Sequence, residues 1–271
     1  GWGLDASPMY VMFDLITRVA SPYDFNPLNL NPLRDIVDRL IDFDRVRQSD
    51  IKVYISATNV ETGRAQVWDE HELTADHVMA SCCLPWLFQA VEIDGVPYWD
   101  GGFTGNPALW PLFETSKSDD VVLVQINPIK RPGVPKTARD IIDRINEITF
   151  NASLLRDLRS VDFVGRLIDS GRLEDTRYRN VHMHMIGDEP TLSALGSSTK
   201  FNVEERFVTM LFEHGRAAAD GWLGANLRHL GERSTVNLRR MFQGEEDSLD
   251  GSRLEPVAPK KARKPPIKAA E

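Results

Sequence analysis

The sequence predicts an α/β protein, because stretches of strand character alternate along the chain with stretches of helical periodicity. Residues 121–126 form an apolar run of the kind found in buried parallel strands. Residues 137–168, and the stretch that follows Asn202, carry apolar side chains at helical spacing. A chain of 271 residues is long enough for one domain of this class, or for one domain with an appendage.

In the first hundred residues, each element is predicted from a short-range pattern. Residues 21–32 are rich in Asn and Pro and predict a loop. Thr74 is suited to cap a helix, and Asp94-Gly95 is a strong hairpin signal between two short apolar runs. Helices are predicted at 8–20, 33–41 and 75–83, and strands at 51–55, 65–68, 91–93 and 96–99.

In the second half, the capping signals stand before long periodic segments. Thr137 and Asp140 resemble a capping box, and the helix behind them is predicted to run towards Ile168. Residues 181–186 alternate and predict a strand, and Asn202 with Glu205 is predicted to cap a last long helix. Residues 244–271 are charged and rich in proline, which predicts a disordered tail.

The chemistry of the chain is centred on residues 96–102, where an aromatic strand delivers Asp100 to the pair Gly101 and Gly102. Pro97 within this strand favours a position at a sheet edge. Glycine allows close approaches that a Cβ would forbid, so the turn suits a carboxylate that orients a reacting group. A plain Asp-Gly hairpin turn is the alternative. Asn106-Pro107 then predicts a helix over the apolar residues 108–113.

Three pieces of this region, in this order and spacing, resemble the C-terminal part of the catalytic domain of bacterial patatin-like phospholipases. They are residues 56–63, a strand that runs into a turn; residues 78–85, a helix of small residues ended by a proline; and residues 98–102 followed by Asn106-Pro107. The flanking residues 25–33 and the long helical segment after the motif are also similar to a bacterial subgroup of that family. The resemblance covers roughly residues 20 to 240.

The resemblance implies a three-layer, Rossmann-like sheet with flanking helices, and a hydrolase acting on a lipid or acyl ester. It implies a Ser-Asp dyad, in which a serine on a G-x-S-x-G turn attacks the ester and an aspartate accepts the serine proton without a histidine between them. Asp100 is then the catalytic base, in the motif Asp100, Gly101 and Gly102. Neither a cofactor nor a metal is implied. Residues 1–115 would be the C-terminal part of the catalytic domain, and residues 116–243 its continuation.

The sequence departs from the family pattern at the nucleophile. It contains no G-x-S-x-G and no glycine-rich oxyanion loop, so the expectation is a fragment that lacks the nucleophile and the first strands of the sheet. Such a fragment would be inactive alone. The alternative is a non-catalytic lipid-binding or regulatory module of the same fold. Ser56 lies at a predicted strand end without glycines around it, and is expected only to pack or to hydrogen-bond.

Composition restricts the partners and the cellular compartment that the chain is expected to have. The formal net charge of -8 argues against a general nucleic-acid binder. Cys82 and Cys83 are adjacent, so a structural disulfide is not expected, which fits a reducing, cytoplasmic compartment. Peripheral membrane contact through residues 10–13 is an alternative to packing of that helix. His182 and His184 would share one strand face, but no further ligand stands near them, so no metal site is predicted. Oligomeric state is left open.

Overall fold

The computed structural model describes residues 2–173 and 178–243. Its helices are α1 (Pro8–Val19), α2 (Pro22–Phe25), α3 (Pro32–Leu40), α4 (Phe43–Arg47), α5 (Ala75–Ser81), α6 (Trp110–Thr115), α7 (Ala138–Asp169), α8 (Glu189–Ser193), α9 (Glu205–Asn226) and α10 (Leu238–Gln243). Its strands are β1 (Ile55–Asn59), β2 (Ala65–Trp68), β3 (Val91–Ile93), β4 (Val96–Asp100), β5 (Asp120–Val124) and β6 (His182–Ile186). The predicted α/β class is confirmed, and these strands form two sheets.

The first sheet is antiparallel and has the strand order β2-β1-β4-β3. Two local hairpins build it, β1 with β2 and β3 with β4, and the pairing of β1 with β4 joins them. Helix α5 packs across β1, β3 and β4. The core between them contains Ala57, Trp68, Leu73, Ala80 and Tyr98, and the rings of Trp68 and Tyr98 meet edge to face at 5.0 Å. This sheet carries Asp100 at the end of β4.

The second sheet contains β5 and β6, which pair in parallel, as the run 121–126 predicted. Its inner face packs on α7 and α10 through a list of buried side chains: Val121, Leu123, Leu154, Leu158, Met183, Met185, Leu238 and Met241. On the other face, Val122 and Val124 of β5 are 42% and 70% exposed, so the prediction that the strand is buried on both faces is wrong. Helices α7 and α10 thus cover one face of this sheet. On the other face, α9 contacts β6 and leaves β5 exposed.

Two predicted boundaries are wrong. The strand placed at 51–55 begins at Ile55, because the hairpin register sets Ile55 opposite Trp68, while the Val53 N–H donates to the Glu70 carboxylate instead of to a neighbouring strand. The helix placed at 108–113 starts at Trp110, with Pro111 rather than Pro107 in its first turn. The other predicted helices and strands shift by a few residues or fewer.

Capping follows the sequence in one long helix and differs in the other. The Thr137 hydroxyl accepts the Asp140 N–H at 3.1 Å, and α7 continues for 32 residues from there. Helix α9 has Glu204 as its N-cap, so the predicted cap at Asn202 is wrong. The Asn202 side chain accepts the Glu204 N–H at 2.9 Å, two residues before the helix cap. The predicted tail, residues 244–271, lies outside the described residues.

Helix α1 lies against the 3₁₀ turn Ser197–Phe201. The rings of Tyr10 and Phe13 each approach the Phe201 ring, at 5.9 and 6.0 Å between centroids. Residues 10–13 therefore pack through two of their aromatic side chains, while Met12 of the same turn is 60% exposed. None of the described helices combines the length and the apolar character that crossing a bilayer would require.

Candidate active site

Asp100 is the last residue of β4, where the strand passes into the 3₁₀ turn Gly101–Phe103. β4 is an interior strand, flanked by β3 and by β1, and Asp100 lies opposite Ala57. The edge position predicted from Pro97 is therefore wrong. Pro97 is tolerated because its carbonyl accepts the Val60 N–H at 3.0 Å just beyond the end of β1, where the ladder no longer needs a donor.

Hydrogen bonds from three directions hold Asp100. Its N–H donates to the Cys83 carbonyl at 2.9 Å, and its carbonyl accepts the Thr58 hydroxyl at 2.8 Å. Its carboxylate Oδ1 accepts the Gly102 N–H at 2.7 Å. Within residues 2–173 and 178–243, no hydrogen bond reaches Oδ2. The turn thus fixes the carboxyl group and leaves one oxygen free to accept a proton.

The two glycines of the motif are required by space. A Cβ on Gly101 would overlap the Ser56 carbonyl and lie 2.7 Å from the Ser56 hydroxyl. A Cβ on Gly102 would overlap the Phe150 ring and lie 3.0 Å from Asp100 Oδ1. Neither glycine has a positive φ. The close approach inferred from the sequence is present, and the hairpin alternative for this turn is wrong.

Burial dominates the electrostatics of Asp100 and raises the pKa of its carboxyl group. The Gly102 N–H and the positive charge of Lys200 oppose this effect without cancelling it. A raised pKa moves the carboxylate closer to the range in which a general base is most effective near neutral pH. The raised pKa makes the Asp100 carboxylate a stronger base than an exposed aspartate.

The two thiols next to Asp100 are disfavoured as nucleophiles. Burial raises the pKa of Cys83 to about 11, and burial together with the Asp100 charge raises the pKa of Cys82. A thiol reacts as its thiolate, so a raised pKa lowers the reactivity of both groups at neutral pH. Both cysteines are free, which agrees with the predicted lack of a disulfide between them.

Aromatic rings connect the turn to a cavity. Trp86 meets Phe103 edge to face at 6.0 Å, and Phe103 meets Phe150 at 5.4 Å. Trp86 and Phe150 both line a cavity of about 590 Å³ between α1, α7, α9 and the 3₁₀ turn Ser197–Phe201, and Lys200 lines it as well. A second, more open groove of about 780 Å³ shares the wall residue Trp86. The Asp100 turn thus lies beside apolar space large enough for a small molecule.

No nucleophile is assembled with Asp100 in the described part of the chain. The carboxylate there accepts no serine or threonine hydroxyl, and Ser56 contacts the Gly101 backbone rather than the Asp100 side chain. The contact of Ser56 agrees with its expected packing role. Serine-to-aspartate hydrogen bonds occur elsewhere, as in Ser197 with Asp143 and Ser198 with Asp5, where they tie the 3₁₀ turn Ser197–Phe201 to α7 and to the segment before α1.

A comparison with known protein families matches the region that contains Asp100. Residues 13–113 match the family model of patatin-like phospholipases. The match confirms the resemblance read from the sequence over a segment that contains Asp100, Gly101 and Gly102, and we call it the patatin-like segment. The mixed α/β arrangement, with its small antiparallel sheet and flanking helices, is consistent with the patatin-like fold. Among curated proteins, none matches the chain. The extension to residue 240 stays a prediction, as does the division at residue 115.

The two histidines of β6 share one face of the strand, as predicted, and meet at Asp120. His184 lies with Nε2 2.9 Å from Asp120 Oδ1 and with Nδ1 2.9 Å from the Thr235 hydroxyl, and His182 Nδ1 lies 3.5 Å from the same Oδ1. His184 is fully buried and Thr235 is 5% exposed, so this hydroxyl–imidazole–carboxylate chain has no access to substrate. The Gly231 N–H also binds Asp120, and the cluster ties residues 231–235 to the sheet. In the described ranges, no group of three candidate side chains is arranged to hold a metal ion.

Sequence reasoning missed the residues that surround Asp100 from outside the patatin-like segment. Phe150 comes from α7 and Lys200 from the turn after α8, and neither belongs to a motif. Thr58 and Cys83 lie inside the family-like pieces, but their bonds to the Asp100 backbone follow from the strand order. No local pattern reports such contacts, because they depend on tertiary packing.

Proposed function

We propose that the chain contributes the general base of a lipid acyl hydrolase, with Asp100 as the aspartate of a Ser-Asp dyad. The observation that carries this proposal is the partly buried Asp100 carboxyl, fixed on the Gly101–Gly102 turn within the patatin-like segment. One of its oxygens accepts no hydrogen bond from the residues that the structure describes. Burial raises the pKa of that carboxyl, which favours proton acceptance near neutral pH. The proposed substrate is a lipid or another acyl ester.

In this mechanism the Asp100 carboxylate removes the proton of a serine hydroxyl while its oxygen attacks the acyl carbonyl. The protonated Asp100 then returns the proton to the leaving alcohol, and a water molecule repeats the cycle to release the acid. We assign only the base to this chain, because no described hydroxyl reaches the Asp100 carboxylate.

Covalent labelling with a fluorophosphonate tests the assignment, since this reagent needs an activated serine. We expect no labelling of the 271-residue chain and no hydrolysis of p-nitrophenyl esters above background. Labelling should appear when the chain is joined to a segment with a G-x-S-x-G turn, and should be lost again in Asp100→Asn. Labelling of a serine within the 271 residues that survives Asp100→Asn would contradict the dyad.

A second candidate is a non-catalytic lipid-binding module of the same fold. It is favoured by the same observation, that no described hydroxyl lies on Asp100, together with the apolar cavity beside the turn. The two candidates differ in one measurement. If joining the serine-bearing segment restores no hydrolysis while lipid binding persists, the binding module is the correct function.

A further inference from the structure

The antiparallel sheet carries a groove of aromatic side chains on the face that points away from α5. Tyr98 of β4 packs with Trp68 in the core under α5. Because successive side chains of a strand point to opposite faces, Trp99 lies on the other side of the sheet. There it lines the open groove of about 780 Å³ together with Trp86 and Phe103, and we call this surface the aromatic groove.

The other residues of the aromatic groove are apolar or polar without charge. Pro22 and Pro85 extend its apolar wall, and Asn59 and Thr104 supply polar groups. Trp86 is 42% exposed, so its ring offers both an apolar surface and an indole N–H donor. Grooves lined by aromatic rings are the surfaces on which proline-rich segments dock in the polyproline II conformation.

The chain contains such a segment beyond residue 243, where the described residues end. It reads Pro256-Val257-Ala258-Pro259. A polyproline II helix has three residues per turn, so prolines three positions apart share one side of it. The pair Pro265-Pro266 lacks this spacing, because adjacent residues of such a helix point in different directions.

The segment is close enough along the chain to reach the groove. The Arg159 guanidinium of α7 lies 5.1 Å from the ring centre of Phe242, next to the last described residue, and the Phe150 ring of α7 lies 5.4 Å from Phe103. Arg159 and Phe150 are nine residues apart on one helix, which is about 14 Å. Residues 244–255 span up to about 40 Å when extended, so they bridge this distance with length to spare.

The charge of the segment is opposite to that of the rest of the chain. Residues 256–270 contain five basic residues and no acidic residue, whereas the whole chain has a formal net charge of -8. Asp24 and Glu61 are exposed within two positions of residues that line the aromatic groove, and Arg64 partly offsets them. Charge therefore favours the approach of the segment, and the aromatic rings would select its prolines.

We propose that residues 256–259 dock in the aromatic groove as one turn of polyproline II helix, with Pro256 and Pro259 against Trp86 and Trp99. Trp86 also lines the cavity beside the Asp100 turn, so the docked segment lies next to the candidate active site. The contact involves neither Asp100 nor a nucleophile. Asp100→Asn should leave it unchanged, which keeps this proposal separate from the proposed function.

Photo-crosslinking of the full 271-residue chain tests the contact. A benzophenone side chain in place of Val257 should crosslink within one chain to Trp86, Trp99 or the residues beside them, as mapped by mass spectrometry. The same side chain in place of Ala269 is the matched control and should not reach the groove. Crosslinks that miss the groove would contradict the proposal. Crosslinks that join isotope-labelled to unlabelled chains would make this face an interface between copies, which also contradicts it.

A pair of tryptophan variants tests the groove. Trp86→Ala should lower the yield of the Val257-position crosslink by about fivefold or more, because it removes one wall of the docking surface. Trp110→Ala is the matched control, since Trp110 is 50% exposed on α6 and lies outside the groove. Circular dichroism checks that both variants fold. If Trp86→Ala abolishes binding to phosphatidylcholine vesicles and leaves the crosslink intact, the groove contacts lipid and the proposal is wrong.

The proline spacing is tested with a peptide of residues 253–264, followed by tryptophan fluorescence. The full chain with Pro256→Ala and Pro259→Ala should bind this peptide about tenfold more tightly than the parent, in which the tethered segment competes at an effective concentration on the order of 1 mM. The full chain with Pro265→Ala and Pro266→Ala should behave as the parent does. Equal affinities for all three chains, or no binding to any of them, would overturn the proposal.

Discussion

The dipeptide Asp-Gly occurs at both ends of β4, with opposite physical roles. At the start of the strand, Asp94 and Gly95 have φ values of 52° and 79°, and the space around a Gly95 Cβ is empty within 4 Å. At its end, Asp100 precedes Gly101, which has no positive φ but would overlap the Ser56 backbone if it carried a Cβ. The first glycine is selected by backbone conformation and the second by packing.

This difference shows what makes one of two similar turns a candidate site. The Asp94 turn is an exposed connection that any hairpin of this type needs. The Asp100 turn is held by Cys83 and Thr58 and is closed over by Phe150, so its partly buried carboxylate has a fixed place beside a cavity. The dipeptide Asp-Gly describes both turns equally well, and the surroundings distinguish them.

The largest expected effect separates the two aspartates by activity. In the form of the protein that hydrolyses ester, Asp100→Asn should lower kcat by about 10²- to 10⁴-fold with little change in KM, because the amide is not a usable base. Asp94→Asn is the matched control and should leave kcat unchanged, since Asn suits a positive φ in this turn. Steady-state kinetics on a p-nitrophenyl ester measures both.

The exposed histidines sharpen this comparison further. His71→Gln and His214→Gln should each leave kcat within about tenfold, because a dyad requires no imidazole. A histidine variant that keeps its fold and loses as much activity as Asp100→Asn would indicate a triad hydrolase and would make the proposed function wrong.

The next largest effect is on the free energy of unfolding, which should differ between alanine variants of Gly101 and Gly95. Gly101→Ala should lower the free energy of unfolding by about 2–3 kcal/mol, because the new methyl group meets the Ser56 carbonyl of a paired strand. Chemical denaturation followed by circular dichroism measures the change. A loss below about 0.5 kcal/mol would show that the turn yields easily and that its glycine is not required by space.

A smaller loss is expected at the hairpin end. Gly95→Ala should cost roughly 1–2 kcal/mol, because the alanine is strained at a φ of 79° although its methyl group has free space. Gly215→Ala in the exposed middle of α9 is the control and should stabilise the protein by about 0.5–1 kcal/mol. A Gly95→Ala variant as stable as the parent would mean that the hairpin adopts another turn type.

The sequence predicted the parts of the fold that depend on neighbours in the chain. The Asp94-Gly95 hairpin, helix α5 and the Thr137 cap each follow from a few adjacent residues, and each was placed correctly or within two residues. The strand in residues 56–63 was identified, but the strand at 51–55 was placed too early, because this apolar run resembles a strand while the register with Trp68 selects later residues. Hydrophobicity alone does not set strand register.

In the candidate site too, the residues in a local motif were predicted and those brought in by tertiary packing were not. Asp100, Gly101 and Gly102 were identified from the motif, because a motif is a local pattern. Phe150 and Lys200 were missed because they reach the turn through tertiary packing. The exposed face of β5 was also missed, since the apolar residues Val122 and Val124 predict burial whether or not another element covers them.

The smallest expected effect is on folding stability, which the ionised Asp100 carboxylate lowers because it is partly buried. Burial raises the pKa of the Asp100 carboxyl in the folded chain above its unfolded value, so folding favours the protonated form. Its contribution to stability is therefore fully present below the unfolded pKa of about 3.9 and is lost as the pH rises through the folded pKa.

Asn carries no charge, and its carbonyl oxygen is still able to accept the Gly102 N–H. Asp100→Asn should thus melt at a slightly higher temperature than the parent at pH 7, with the difference shrinking as the pH approaches 4. The same scans on Asp94→Asn are the matched control and should show no such trend, because Asp94 lies on the exposed hairpin turn. A parent that is more stable than Asp100→Asn at pH 7, by a margin that grows with pH, would mean that the ionised carboxylate is stabilised by its surroundings, which is the opposite of what its burial implies.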